Sequence, residues 1–369
     1  MKTKKRAKKR NTTVKKCKLN LRKEDFLNTP CNTQNKIHIL FCVQSDNSFR
    51  KKIPLFEYKK KNDNYKFSLN SNIYTITFNS KIGSGSYGTI WKSTYELNNS
   101  TTDIVIKKPT LNVQKNNFLR EMFIHLFLYC NHSLNTGYIP EIKVIFRTRN
   151  ENAFYGMEEL HGTLWDFIDD NIQNPQSIYK TLHDIVIFLQ DLQSKYYFMH
   201  RDFHPGNIMY KKINSKYNWY FIDFNMCFLK INNKYVNQMT TTNHYHVIHT
   251  FNASHDIRML FLYLYEHYMN RLPTLLLHYM LHLFSNALSY FPNIKKSGSR
   301  EHCFTCHAYG DIVHKYDKNF TPQSILVSLK NMMNDTYEAT KIQPYLNTSD
   351  LNIFDTYIQT SRNLLNFYL

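Results

Sequence analysis

The residues best suited to chemistry lie in two short segments of the second half of the chain. The first is His200-Arg-Asp-Phe-His-Pro-Gly-Asn207, where Asp202 and Asn207 stand five residues apart on a loop stiffened by proline. The second, Trp219-Tyr-Phe-Ile-Asp-Phe-Asn225, places Asp223 directly after an apolar, strand-like run. A carboxylate can orient a hydroxyl nucleophile, and amide and carboxylate oxygens are ligands of Mg²⁺. The two segments predict a metal–phosphate site, with Asp202 acting on the nucleophile.

A glycine-rich segment, Gly83-Ser-Gly-Ser-Tyr-Gly88, stands upstream of both. Glycines let backbone amides approach a phosphate closely. The pattern alone is weak evidence, because its dinucleotide-binding version requires a helix after the glycines. Residues 89–95 instead alternate like a strand, which favours the tip of a hairpin. An ordinary glycine-rich turn is the alternative, and this segment by itself does not decide between them.

Lys107 and Glu121 follow the glycine-rich segment. Lys107 ends a compact apolar run, and Glu121 lies on an amphipathic stretch 14 residues later. An ammonium group held by a carboxylate stays charged and can point at nucleotide phosphates. The alternative is two unrelated surface charges, but their position directly after the glycines favours an ion pair.

Periodicity predicts the elements that position these residues. Apolar runs at 73–78, 89–95 and 104–106 predict three strands in an antiparallel meander, and helical spacing predicts helices over 118–130, 164–170, 177–194 and 259–270. This order predicts an α+β protein with a small β-rich N-terminal lobe, about 73–157, carrying one main helix. A larger, mostly helical C-terminal lobe is predicted at about 161–369.

Composition sets the domain boundaries and excludes a disordered chain. Of 369 residues, 42% are hydrophobic and 15% aromatic, which is enough to build a core. The formal net charge is +19, and much of it comes from residues 1–23, which carry no acidic residue. We expect 1–23 to be a disordered solubilising arm, with nuclear import or nucleic-acid contact as alternatives. Residues 24–72, rich in Lys and Asn, are expected to form an irregular lead-in.

Other classes are excluded by pattern. No apolar run approaches the length of a membrane-spanning helix, and the basic N-terminus lacks the apolar stretch of a signal peptide. Seven scattered cysteines argue against a disulfide scaffold and for a reducing compartment. We therefore expect an intracellular protein, cytoplasmic or nuclear, without membrane insertion.

From about Ile73 to the C-terminus the chain resembles eukaryotic-type serine/threonine protein kinases. Ile104-Val-Ile-Lys107 resembles the family's V-A-I-K, and Glu121 its helix glutamate. His200–Asn207 resembles the catalytic loop and Asp223-Phe-Asn225 the D-F-G. Asp256, in Ser254-His-Asp-Ile, resembles the aspartate that braces the catalytic loop.

This resemblance implies two lobes with Mg²⁺-ATP in the cleft between them. It implies catalytic roles for Asp202, Lys107 and Glu121, and Mg²⁺ ligation by Asn207 and Asp223. Met157 would be the gatekeeper. The implied nucleotide contacts, besides Lys107, are Ile82, Gly83, Ser84, Gly85, Ser86, Tyr87, Gly88, Thr89, Ile90, Glu158 and Leu160. Diverged kinases of this kind are common in large DNA viruses, and the frequent Asn, Lys, Ile and Tyr fit an AT-rich genome, so a viral origin is a hypothesis.

Three departures from the family pattern bear on activity. Asn225 replaces the glycine of D-F-G, although Asn tolerates left-handed backbone angles best after Gly. No A-P-E occurs between Asp223 and Asp256, which puts the peptide-substrate platform in doubt. His204 stands where serine/threonine kinases carry a lysine that contacts the transferred phosphate.

These departures keep two alternatives open. His204-Pro-Gly-Asn207 also resembles small-molecule phosphotransferases of the aminoglycoside- and choline-kinase type, whereas Arg201 and the three glycines are typical of protein kinases. A nucleotide-binding pseudokinase is the third possibility, although both the catalytic and the metal-binding aspartates are present.

Two further segments carry hypotheses. Thr240, Thr241 and Thr242 lie where the family carries its activating phosphosite, and Arg201 is a residue type that captures such a phosphate. The alternative is that Arg201 only braces the loop. His302-Cys-Phe-Thr-Cys-His307 holds four metal-ligating side chains, but four ligands within six residues cannot easily surround one ion.

Overall fold

A computed structural model of the chain describes residues 53–59, 64–69, 71–84, 88–109, 115–131, 137–149, 153–231, 234–236, 251–268, 271–277, 279–280 and 321–334. The predictions for residues 1–23, Gly85–Tyr87, Thr240–Thr242 and His302–His307 lie outside the described residues. The described part is a mixture of helices and antiparallel strands, which confirms the predicted α+β class. It divides into two compact units, and the last of the three crossings from one unit to the other falls between Glu158 and Glu159.

The first unit contains a curled antiparallel sheet of seven strands and one helix. The strands are β1 (Glu57–Lys59), β2 (Asn64–Leu69), β3 (Asn72–Ser84), β4 (Gly88–Leu97), β5 (Ser100–Pro109), β6 (Ile142–Arg147) and β7 (Ala153–Met157). Their order across the sheet is β1-β2-β3-β4-β5-β7-β6. The helix is α1 (Lys115–Asn131). The predicted three-strand meander is confirmed as β3, β4 and β5, which pair in antiparallel succession.

Alternation along the strands separates the two faces of the sheet, because successive side chains of a strand point to opposite sides. On β5, Ile104 and Ile106 enter an aromatic core with Phe146 and Phe154. Val105 and Lys107, which alternate with these two residues, therefore face the other side of the sheet, where α1 packs.

The expected irregular lead-in over 24–72 is wrong at its C-terminal end. Strands β1 and β2 lie within it, and β2 pairs with β3 from Leu69↔Asn72 to Asn64↔Thr77. The sheet therefore begins upstream of Ile73. The alternation of Tyr65, Phe67 and Leu69 is the signal for β2, and the surrounding Lys and Asn obscure it.

The second unit contains the remaining elements. They are β8 (Gly162–Thr163), α2 (Leu164–Asn171), α3 (Pro175–Tyr196), a 3₁₀ turn (Pro205–Asn207), β9 (Ile208–Ile213), β10 (Lys216–Phe221), β11 (Leu229–Ile231), β12 (Lys234–Val236), α4 (His255–Tyr268) and α5 (Pro322–Met333). Helix α2 starts with a capping box in which Thr163 and Asp166 satisfy each other's backbone N–H groups. Helix α3 ends at Tyr196 and is capped by Tyr197, which has a left-handed backbone and donates its N–H to the Gln193 carbonyl.

Two observations concern the described helices and cysteines. Among the described helices, none combines the length and apolar character needed to cross a membrane. Cys130, in the last turn of α1, is disulfide-bonded, whereas Cys227 is a buried free thiol.

Candidate functional site

The first group of site residues is a buried ion pair in the first unit. Lys107 Nζ donates to Glu121 Oε1 at 2.5 Å, and the two side chains are 5% and 1% exposed. The predicted pairing is therefore present, and the alternative of two surface charges is wrong. A buried pair of this kind holds the ammonium group in one place, because either charge alone would be costly there.

Strand pairing sets the surroundings of Lys107. It lies opposite Ile90 of β4 and opposite Tyr155 of β7. A Cβ atom on Gly88 would lie 2.9 Å from the Lys108 carbonyl oxygen and 3.4 Å from carbons of the Lys107 side chain. Only glycine fits at position 88, because its backbone runs this close to the lysine.

The other predicted nucleotide contacts lie at the ends of β3, β4 and β7. Ile82, Gly83 and Ser84 end β3, while Thr89 and Ile90 begin β4, with Ser84 and Thr89 paired across the hairpin. A strand, not a helix, follows the glycines, so the hairpin prediction is confirmed. Glu158 follows β7, and its carboxylate accepts the backbone N–H of Glu141 at 3.0 Å. Met157 is buried, and Leu160 is half-buried.

The second group lies in the second unit, on the loop that enters the 3₁₀ turn. The carboxylate of Asp256, at the start of α4, accepts the backbone N–H groups of His200 at 2.7 Å and of Arg201 at 2.9 Å. This confirms that Asp256 braces the loop. Burial raises the pKa of Asp256, while the His200 ring and the two N–H groups act in the opposite direction.

Two residues of this group have left-handed backbones, Arg201 (φ 64°) and Asp223 (φ 61°). Such angles cost roughly 1–2 kcal/mol in a residue other than glycine and persist only where other contacts fix them. At Arg201 the backbone angle is fixed by the hydrogen bond from the Arg201 N–H to the Asp256 carboxylate. Asn225 tolerates left-handed angles but does not adopt them here, because the left-handed residue of this turn is Asp223.

Asn207 is oriented by Asp202. Its Nδ2 donates to the backbone carbonyl of Asp202 at 2.8 Å and makes a longer contact, 3.4 Å, with Asp202 Oδ2. These two acceptors assign the amide nitrogen and so place Oδ1 on the opposite side. No donor from the described residues reaches that oxygen, so it could ligate a metal.

Backbone pairing brings Asp223 next to this loop. In the β9–β10 hairpin Ile208 lies opposite Phe221, and beyond this pair Ile222 N–H donates to the Asn207 carbonyl at 3.1 Å. Asp223 is the next residue. The His200 Nε2 atom lies 2.7 Å from the Ile222 carbonyl oxygen, which makes a second contact between the loop and the segment that carries Asp223.

His204 is held as a neutral ring. The backbone N–H of Gly206 donates to His204 Nδ1 at 3.1 Å, which requires that Nδ1 carry no proton. Burial lowers the pKa of His204 below its usual 6.5, although Asp202 and Asp223 oppose this. The proton therefore sits on Nε2, which lies 3.9 Å from Asp202 Oδ1. His204 can donate a hydrogen bond from Nε2 without carrying a charge.

The lowered pKa of His204 predicts a pH-dependent stability. The unfolded chain binds a proton near pH 6.5, whereas the folded chain binds it only at lower pH. The contribution of His204 to the free energy of unfolding is thus fully present above about pH 6.5 and is lost as the pH falls below it. Urea unfolding between about pH 5 and 8 measures this loss.

His204→Asn is the matched control, because Asn can accept the Gly206 N–H but does not titrate. The wild-type protein should lose more stability on acidification than this variant. The comparison is needed because the pKa of His183 is lowered as well. Equal losses in both proteins would contradict the assignment.

Arg201 is only 2% exposed, and its guanidinium lies over the Phe228 ring, 5.0 Å from the centroid. Burial lowers its pKa to about 10, so it stays charged at neutral pH. These contacts fit the bracing role. Phosphate capture stays a hypothesis, because Thr240–Thr242 lie outside the described residues.

Sequence reasoning missed two contributors, Tyr155 and the ring of His200. Tyr155 donates a hydrogen bond from its hydroxyl to Glu121 Oε1 at 2.9 Å. Its position two residues before Met157 gave no signal, because only the register of β7 against β5 places it beside Lys107. The described ranges contain no cluster of three His, Cys, Asp or Glu side chains that could hold a metal ion by themselves.

No protein-family model matches the chain, and no curated protein matches it.

Proposed function

We propose that the chain is an ATP-dependent protein kinase that transfers the γ-phosphoryl group of ATP to Ser/Thr hydroxyls of protein substrates. The observation that carries the proposal is the loop from His200 to Asn207. Asp256 fixes its backbone, and Asp202 keeps a side chain that is 38% exposed. The amide nitrogen of Asn207 donates to Asp202, which leaves its amide oxygen as an acceptor. This is a fixed array of oxygen atoms of the kind that phosphoryl transfer requires.

The residues present fit Mg²⁺. Asn207 Oδ1 and the Asp223 carboxylate are hard oxygen donors, and Mg²⁺ usually takes only one or two protein ligands, with water and phosphate completing its coordination. A site with only two protein ligands is therefore compatible with the finding that the described residues contain no cluster of three His, Cys, Asp or Glu side chains. When bound, the ion neutralises charge on the phosphate oxygens.

The protein side chains divide the remaining tasks. Asp202 orients the substrate hydroxyl and accepts its proton. Lys107, fixed by Glu121, binds the α- and β-phosphates, and the segment Gly83–Gly88 covers them. The Nε2–H group of His204 supplies a neutral donor where the family has a charged lysine.

A small-molecule phosphotransferase of the aminoglycoside- or choline-kinase type is the second candidate. The neutral His204 favours it, because H-x-D-x-H-x-x-N is the pattern that such enzymes prefer. Arg201 and the three glycines of the hairpin favour the protein kinase.

One assay separates the candidates. The full-length protein is incubated with radiolabelled ATP and Mg²⁺, in parallel with casein, myelin basic protein, choline and aminoglycosides, and with Asp202→Asn as the negative control. Label in protein that is lost in the variant supports the proposal. Label only in choline or aminoglycosides supports the second candidate, and ATP binding without transfer to any acceptor supports a pseudokinase.

The partner and compartment predictions belong to the same proposal. We infer a protein substrate inside the cell, in the cytoplasm or nucleus. The basic segment 1–23 would add a weak contact with nucleic acid or with the nuclear import machinery, because clustered Lys and Arg bind polyanions.

A further inference from the structure

The side chain of Tyr155, on strand β7, contacts three residues of helix α1. The Tyr155 ring packs against Phe118, with ring centroids 5.7 Å apart, and edge-on against His125 at 5.6 Å. Between them its hydroxyl donates to Glu121 Oε1 at 2.9 Å. Residues 118, 121 and 125 are spaced by three and four, so they form one face of the helix.

The same carboxylate oxygen accepts from two neighbouring strands. Lys107 of β5 lies directly opposite Tyr155 of β7 in the sheet. Glu121 Oε1 therefore receives the Lys107 ammonium and the Tyr155 hydroxyl together, and all three residues are almost completely buried. A carboxylate that accepts two buried donors is held more firmly than one that accepts a single donor.

We propose that Tyr155 is a positioning residue that locks the Lys107–Glu121 pair, so that α1 stays in place against the sheet without bound nucleotide or an activating partner. Moving α1 away would break the ion pair, both ring contacts and the bond of the Tyr155 hydroxyl at once. A buried hydroxyl left without its acceptor is costly, which makes the displaced state unfavourable. The consequence for regulation rests on the proposed function, but the lock itself is a property of the first unit alone.

The test uses full-length protein without nucleotide. Tyr155→Phe keeps the ring and removes only the hydroxyl. Amide hydrogen exchange reports the opening of α1, and acylation of the Lys107 amine by an amine-reactive ester, followed by mass spectrometry, reports its exposure. Loss of a hydrogen bond to a charged group should speed both by about tenfold.

Tyr74→Phe is the matched control. Tyr74 is a buried tyrosine of the same sheet, paired with Leu97 at the opposite end of β3 and β4 from Ser84 and Thr89. This variant should leave exchange in α1 and labelling of Lys107 close to wild type. Equal changes in the two variants would mean that Tyr155 contributes only general stability, and would overturn the proposal.

A double-mutant cycle tests whether Tyr155 acts through Glu121. In the Glu121→Gln background, Tyr155→Phe should accelerate labelling less, because a neutral amide accepts a hydrogen bond more weakly than a carboxylate. The same acceleration in both backgrounds would refute the lock. These measurements need no catalytic turnover, so they decide the proposal even if no phosphoryl transfer is found.

Where transfer is found, kinetics give an independent readout. A loosened Lys107 should raise KM for ATP several-fold and leave KM for the protein substrate unchanged. Loss of folded protein alone would lower kcat and change neither KM, and that result would also count against the lock.

Discussion

Asp202→Asn is expected to lower kcat for phosphoryl transfer by about 10²–10⁴-fold, with ATP affinity close to wild type. The substitution is nearly isosteric and removes only the ability to accept a proton. The loop should keep its shape, because Asn207 Nδ2 donates mainly to the Asp202 backbone carbonyl, at 2.8 Å, and Asp256 holds the preceding residues. A change in kcat without a change in binding is the signature of a group that acts on the nucleophile.

Steady-state transfer and equilibrium nucleotide binding measure the two quantities separately. Asp184→Asn is the control, since Asp184 is a surface acid of α3 in the same unit, paired with Lys180. It should leave both quantities unchanged. Turnover by Asp202→Asn above about a tenth of the wild-type value would show that the assigned role is wrong.

Lys107→Met should abolish transfer and also destabilise the protein by about 3–5 kcal/mol, because it leaves the Glu121 carboxylate buried without its cation. Glu121→Gln should reduce transfer less. The double variant Lys107→Met/Glu121→Gln should be more stable than Lys107→Met alone, since no uncompensated charge then remains. Urea unfolding measures the stabilities, and the transfer assay measures the activities.

The pair Lys143–Glu141 is the matched control for burial. Its atoms are also 2.5 Å apart, in the same unit, but the side chains are 30% and 29% exposed. Lys143→Met should therefore cost less than about 1 kcal/mol. For activity, a double variant at Lys107 and Glu121 that is far worse than the worse single variant would show independent effects and reject the coupled pair.

Local sequence was sufficient for much of the fold. Alternation predicted β3 and β4, and a compact apolar run predicted β5. Helical spacing predicted α1 over 118–130, where the helix runs from Lys115 to Asn131. These signals are strong because the apolar residues that become buried form either a continuous run or a row with the period of a strand or a helix. Strand β2 was missed because its polar positions and its Lys- and Asn-rich surroundings dominate the composition.

The sequence by itself determined which residue types are available and how far apart they stand along the chain. The sequence placed Asp202 and Asn207 five residues apart on one short loop, whereas the contact between them comes from the 3₁₀ turn that the structure shows. The compact apolar run at 104–106 likewise predicted the strand that carries Lys107.

Only the tertiary structure decided which distant groups meet. Asp256 reaches the backbone of Arg201 across 55 residues, and Tyr155 reaches Glu121 across 34. It also decided that Asp223, and not Asn225, takes the left-handed backbone. Such contacts depend on strand register and on the packing of helices against sheets, which involve the whole folded chain, whereas periodicity reports only which face of an element is buried.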